Sequence, residues 1–105
     1  MDDTRIARIE AMERRLDACA GAVRALTERL SDVDALRDDM AALLRYYGSA
    51  DWFIDLDADA RGELPAGLKR GVLSEDAVYD LIGEIHDAAE KMIRLGTELK
   101  NMASE

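Results

Sequence analysis

One cysteine, one proline, seven glycines and five aromatic residues are all that this 105-residue sequence contains of the types that staple, break or anchor a fold. Each scarcity excludes something. A lone cysteine, Cys19, rules out an intrachain disulfide and any multi-cysteine metal site. With so few helix breakers, and with Ala, Leu, Arg, Glu and Asp abundant, the composition points to helix. No uncharged run approaches the roughly 20 residues that a membrane-spanning helix needs. Basic excess is missing as well: the net charge is -9, and every third of the chain is acidic or balanced toward acid. Residues 1–47 hold 8 basic and 10 acidic side chains, residues 48–73 hold 3 and 5, and residues 74–105 hold 3 and 8. A nucleic-acid binder needs a positive stripe and a peripheral membrane helix a Lys/Arg face, so neither partner is expected. The opening Met1-Asp2-Asp3-Thr4-Arg5 reverses the basic-then-apolar order of a secretory signal, and the expected location is the cytoplasm.

What is present is heptad pattern. With Ile9 at position a, the a series runs Ile9, Leu16, Val23, Leu30, Arg37, Leu44 and the d series Met12, Cys19, Leu26, Val33, Met40, Tyr47. Eleven of these twelve seam positions are apolar, counting Cys19 and Tyr47, which predicts a coiled-coil-like helix over about 3–47. Arg37 is the single break. Ser31 and Asp34 have the spacing of an N-cap and its acidic partner, so a restart near 31–34 competes with a continuous helix. Continuity is favoured, because the register survives that point. A second helix is expected over about 75–103, capped by Ser74 and begun by Glu75 and Asp76 at its positive end. Its seam positions, Val78, Ile85, Met92, Leu99 and Leu81, Ala88, Leu95, Met102, are all apolar.

Residues 48–73 change character. Gly48 suits a left-handed helix end, Ser49 a cap, and Gly62 a second stop before Leu64-Pro65, giving a connector helix over about 50–61. The following segment, with Pro65, Gly67 and Gly71, reads as irregular but anchored by Leu64, Leu68, Val72 and Leu73. Extra apolar positions at Leu36, Leu43 and Ile82 widen both seams near the connector, where Trp52, Phe53, Leu56 and Val78 complete the expected core. The sequence therefore predicts an all-α single domain: an antiparallel helical hairpin closed by a small three-helix core.

The stretch from Tyr46 to Ile82 carries Tyr46-Tyr47-Gly48-Ser49, Trp52 with Asp55, Ala58-Asp59, Gly62 with Leu64-Pro65, and an unbroken Leu68-Lys69-Arg70-Gly71-Val72-Leu73-Ser74-Glu75-Asp76-Ala77-Val78-Tyr79-Asp80-Leu81. In these residues it resembles a family of small bacterial proteins classified as a domain of unknown function. The resemblance implies a bacterial, intracellular protein and carries no catalytic residue over.

Candidate sites are few. Asp55, Asp57 and Asp59 have the alternate spacing of a calcium loop, but Ala60 stands where the loop's glycine belongs and Ala66 where its bidentate Glu belongs. On a helix, Asp51, Asp55 and Asp59 instead stack at intervals of four, and Lys69 and Arg70 are expected to fold back onto them as an ion-pair latch. Trp52 reads as core, whereas Tyr46, Tyr47 and Tyr79 divide evenly between core edge and recognition surface. The candidate interaction surface is thus Tyr46, Tyr47, Asp51, Asp55, Asp59, Lys69, Arg70 and Tyr79. His86 sits on a polar helix face without a second ligand, and Cys19 sits on the seam without a base, so no catalytic, cofactor or metal site is assigned.

Three functions fit. The leading one is a non-enzymatic interaction or adaptor module. A helix over 3–47 would be about 66 Å long and one over 75–103 about 43 Å, which leaves the arm of Ile6, Ile9, Met12 and Leu16 without cover inside a hairpin and calls for a homodimer. The second is an exported helical hairpin resembling type VII secretion substrates: Tyr47 and Asp51 give a Tyr-x-x-x-Asp spacing, but it lies mid-chain and no Trp-x-Gly marks the turn. A small ligand-binding protein is the third. Millimolar calcium, zinc or magnesium is expected to leave the melting temperature unchanged. A saturable rise would reveal a ligand set that the spacing does not.

Overall fold

The computed structural model describes residues 2–104. The protein is all-helical: α1 (Asp3–Ala35), α2 (Arg37–Tyr46), α3 (Ala50–Ala60), a single 3-10 turn (Gly71–Leu73) and α4 (Glu75–Ala103). None of these helices is long and apolar enough to cross a membrane. The chain divides into two compact units, one ending at Ala41 and the other beginning at Ala42.

The first unit is dominated by α1. Asp2 caps it in extended conformation, its carboxylate accepting the Thr4 N–H at 3.0 Å, and Asp3 adds negative charge at the positive end of the helix dipole. Thirty-three residues without proline then run to Ala35. The expected continuous helix over 3–47 is interrupted at Leu36, just beyond the 31–34 segment where a restart was conceivable. Leu36, at φ -97° and ψ 4°, turns its N–H to the Val33 carbonyl at 3.0 Å, three residues back instead of four. Its own carbonyl then accepts from Met40 at 2.9 Å and starts α2, whose first turn carries Asp38 and Asp39. Arg37, the charged residue on the seam, reaches back to Asp34 at 2.7 Å. Both side chains are mostly in water, so this pair contributes no more than about 1 kcal/mol. No residue of α1 is buried.

The second unit holds the core. Gly48 (φ 78°) ends α2, and Ser49 caps α3 by accepting the Trp52 N–H at 3.2 Å. At the far end Gly62 (φ 71°) closes α3: its N–H reaches the Asp59 carbonyl and that of Glu63 the Ala58 carbonyl, both at 3.0 Å. This double bond pattern needs a left-handed residue, which glycine adopts without steric cost. Ser74 then does two things. Its hydroxyl donates to the Gly71 carbonyl at 2.7 Å, tightening the turn, and accepts the Ala77 N–H at 3.2 Å, starting α4.

Among the described residues, the buried apolar ones are Trp52, Leu73 and Val78. Leu43 and Leu56 are half-buried. The wider core expected from the sequence is corrected at three positions. Phe53 is 58 % exposed, because adjacent positions on a helix point about 100° apart and Trp52 occupies the inward one. Leu36 is exposed and lies in the interruption between two helices, and Ile82 sits at the margin of a stripe formed by Val78, Leu81 and Ile85. The segment before α4 is also more regular than expected, since the Leu73 N–H bonds the Arg70 carbonyl at 3.0 Å to form the 3-10 turn.

Replacing Trp52 by Ala removes the largest buried side chain and is expected to destabilise the protein by about 3–5 kcal/mol. For a chain of this size the melting temperature should fall by more than about 10 °C, as followed by circular dichroism. An unchanged melting temperature would assign Trp52 to a surface role.

Candidate functional site

The candidate surface is built where α2, α3 and the turn before α4 meet. Trp52 organises it from beneath. Its indole N–H donates to the Val72 carbonyl at 2.9 Å, while its ring is packed edge-on by Tyr47 and by Phe53, with centroids 5.1 and 5.0 Å away. The hydroxyl of Tyr47 continues past the indole to donate to the Glu75 carbonyl at 3.1 Å, in the first turn of α4. Tyr47 is therefore a strut.

Tyr46, one position earlier, points elsewhere and donates its hydroxyl to Asp55 on α3 at 2.6 Å. This hydrogen bond, together with partial burial and the negative charges of Asp55 and Asp51, pushes the Tyr46 phenol up to about 12. The group stays protonated at neutral pH and acts as a hydrogen-bond donor, not as a base or nucleophile.

Three of the four aspartates of α3 find separate partners. Asp55 holds Tyr46, Asp57 pairs with Arg61 at 3.2 Å, and Asp59 pairs with Arg70. Three carboxylates aimed at three different groups do not converge on one ion. Asp51 is exposed in the first turn. Of the two basic residues expected to return to this face, Arg70 does so. Besides Asp59 it donates to the carbonyls of Pro65 and, at 3.3 Å, Leu68, so the guanidinium stitches the irregular segment to α3. With both side chains a third exposed or less, the bond to Asp59 contributes about 1.5 kcal/mol, the lower end for a hydrogen bond between charged groups. Lys69 is exposed, and Tyr79 is 68 % exposed on α4.

These groups frame a cleft of about 240 Å³. Tyr46, Asp55, Lys69 and Arg70 supply its polar rim, and Leu64, Leu68, Val72 and Leu73 its apolar wall. The wall carries the information that residue chemistry alone did not assign to a surface: Leu64, Leu68 and Val72 recur every fourth residue although the segment is not a helix. That recurrence, across Pro65 and two glycines, was the available signal. Chemically the cleft can hold an apolar group beside an ammonium.

Because the Tyr46 phenol is pushed up to about 12, its hydrogen bond to Asp55 contributes stability that is complete below about pH 10 and is lost as pH rises toward 12. An absorbance titration of the phenols should show a late ionisation step that Tyr46→Phe abolishes. A late step that persists in the variant would assign the shift to another residue.

No curated protein and no solved structure matches the chain. The family model described as "Domain of unknown function (DUF4298)" matches residues 9–95, taking in α2, α3, the whole cleft and the greater part of α1 and α4. The chain belongs to the DUF4298 family.

Proposed function

We propose that this protein is a non-enzymatic protein–protein interaction module that homodimerises through its long helical seam and presents the connector to a protein partner. One observation carries the reading: α1 exposes an unbroken apolar stripe. Ile9, Met12 and Leu16 are 53, 52 and 60 % exposed, and Val23, Leu26, Leu30 and Val33 continue the line, while Ile6 is half-buried. Leaving side chains of this size in water forfeits up to about 1.5–3 kcal/mol each relative to full burial, and contiguous patches of this extent mark association surfaces. Cover by a second copy is the economical remedy, because a two-fold interface buries the same patch twice.

The connector supports the second half of the reading. Its cleft joins an apolar wall to the exposed Lys69, beside loop-borne residues of the kind that binding surfaces use. A protein segment with an apolar side chain next to a carboxylate fits this chemistry. A small-molecule carrier is less well served, since ligand pockets usually enclose about 300–1,000 Å³. An enzymatic role is less well supported, since the Tyr46 hydroxyl is engaged by Asp55 and Cys19 lies exposed on the seam. The export reading gains nothing from Tyr47, whose hydroxyl is engaged by the Glu75 carbonyl. The acidic charge of -9 disfavours nucleic acid, and a cytoplasmic location suits a module of this kind.

Light scattering at micromolar concentration should give twice the 11.6 kDa chain mass, falling toward the monomer when residues 2–16 are deleted. A monomeric mass in both forms would overturn the dimer. Connector variants such as Leu68→Asp with Lys69→Glu should lose any partner retained by the intact protein, and retention would overturn the adaptor role.

A further inference from the structure

We propose that α1 pairs in parallel and in register with α1 of a second copy of this chain, the basic edge of each helix lying against the acidic edge of the other. The proposal rests on the homodimer reading and specifies its geometry.

The seam and the helix end together. Over α1 the a positions Ile9, Leu16, Val23 and Leu30 and the d positions Met12, Cys19, Leu26 and Val33 are all apolar, and none is buried. The next a position is Arg37, where two copies would bring like charges face to face. The helix breaks one residue earlier, at Leu36, and Arg37 is drawn away to Asp34. What remains is a clean apolar strip from Ile9 to Val33, about 36 Å long at 1.5 Å per residue.

The flanks of the strip are segregated by sign. Residues just before each a position are Arg8, Arg15, Ala22 and Arg29, and residues just after each d position are Glu13, Ala20, Thr27 and Asp34. One edge is basic or neutral throughout, and the other acidic or neutral. In a parallel coiled coil a residue before a faces the residue five places on in the other helix. Arg8 then meets the partner's Glu13, and Arg29 meets the partner's Asp34. Two-fold symmetry repeats each pair, for four attractive contacts and no repulsive one. An antiparallel pair sets each edge against its own kind. At near-complete overlap Arg15 would lie against the partner's Arg29, and two-fold symmetry repeats that contact too. Like charges placed together in this way discriminate against the arrangement. The within-helix contacts of these residues do not compete strongly, since Arg29–Asp32 at 3.4 Å and Arg37–Asp34 at 2.7 Å are both solvent-exposed pairs of the kind worth no more than about 1 kcal/mol.

Cysteine cross-linking of the full chain tests the geometry. In a Cys19→Ala background, Met12→Cys alone should form an interchain disulfide on mild oxidation, because a parallel register places position 12 opposite itself. A mixture of Met12→Cys and Leu30→Cys chains should yield only the two like-with-like products. Efficient disulfides in that mixture linking position 12 to position 30, without the single-variant product, would overturn the parallel arrangement while leaving the dimer standing. A monomeric mass for the unaltered protein would overturn the dimer reading itself. Seam substitutions can weaken folding, so the edges provide a second measurement: Arg8→Glu with Arg29→Glu should weaken dimerisation at low salt, and adding Glu13→Arg with Asp34→Arg should restore it. Failure of that rescue in a helical protein would also count against the parallel pairing.

Discussion

The indole of Trp52 is the point on which the second unit depends. Its face is buried, its N–H is bound by the Val72 carbonyl, and its edges are met by Tyr47 and Phe53. One side chain thus ties α3 to the segment entering α4, and through Tyr47 also to the end of α2. Among the described residues Leu73 and Val78 are the other buried apolar side chains, and Leu43 and Leu56 are half-buried. The hydrogen bond matters as well. A buried N–H without a partner forfeits the free energy of desolvation, so the carbonyl of Val72 must stay where the indole can reach it, which in turn fixes the turn at Gly71–Leu73.

Around this anchor the polar groups act as fasteners at a larger radius. Arg70 gathers Asp59 and the carbonyls of Pro65 and Leu68, converting a segment with a proline and two glycines into a defined wall. Tyr46 and Asp55 do the same between α2 and α3. Both pairs use up groups that would otherwise look reactive. The connector is consequently chemically varied, with these side chains engaged in holding its own segments together.

The helices present the opposite character. α1 is regular, well capped and without a buried residue, and large apolar side chains also remain exposed along α4 at Met92, Leu95 and Leu99. Helical propensity and capping explain why such segments are helical. They do not supply the burial that usually stabilises a long helix, most of which comes from packing an apolar face. The proposed association through α1 meets that requirement with residues already aligned for it.

Much of the local structure could be read from the sequence because its causes are local. Ser49 and Ser74 act as caps, Gly48 and Gly62 adopt positive φ, and α4 runs over Glu75–Ala103, each determined by side-chain reach or by the absence of a Cβ within a few residues. The heptad period likewise named which positions are apolar. Tertiary structure decided what periodicity could not. It placed Trp52 inward, its indole N–H on the Val72 carbonyl, and left the adjacent Phe53 about 100° around the helix and exposed. The helix favoured as continuous over about 3–47 instead breaks at Leu36, where backbone geometry changes over a single residue without a proline or glycine to announce it. Tertiary structure assigned Arg70, and not Lys69, to Asp59, because a planar guanidinium can bind a carboxylate and two carbonyls at once while an ammonium on a flexible stem is satisfied by water.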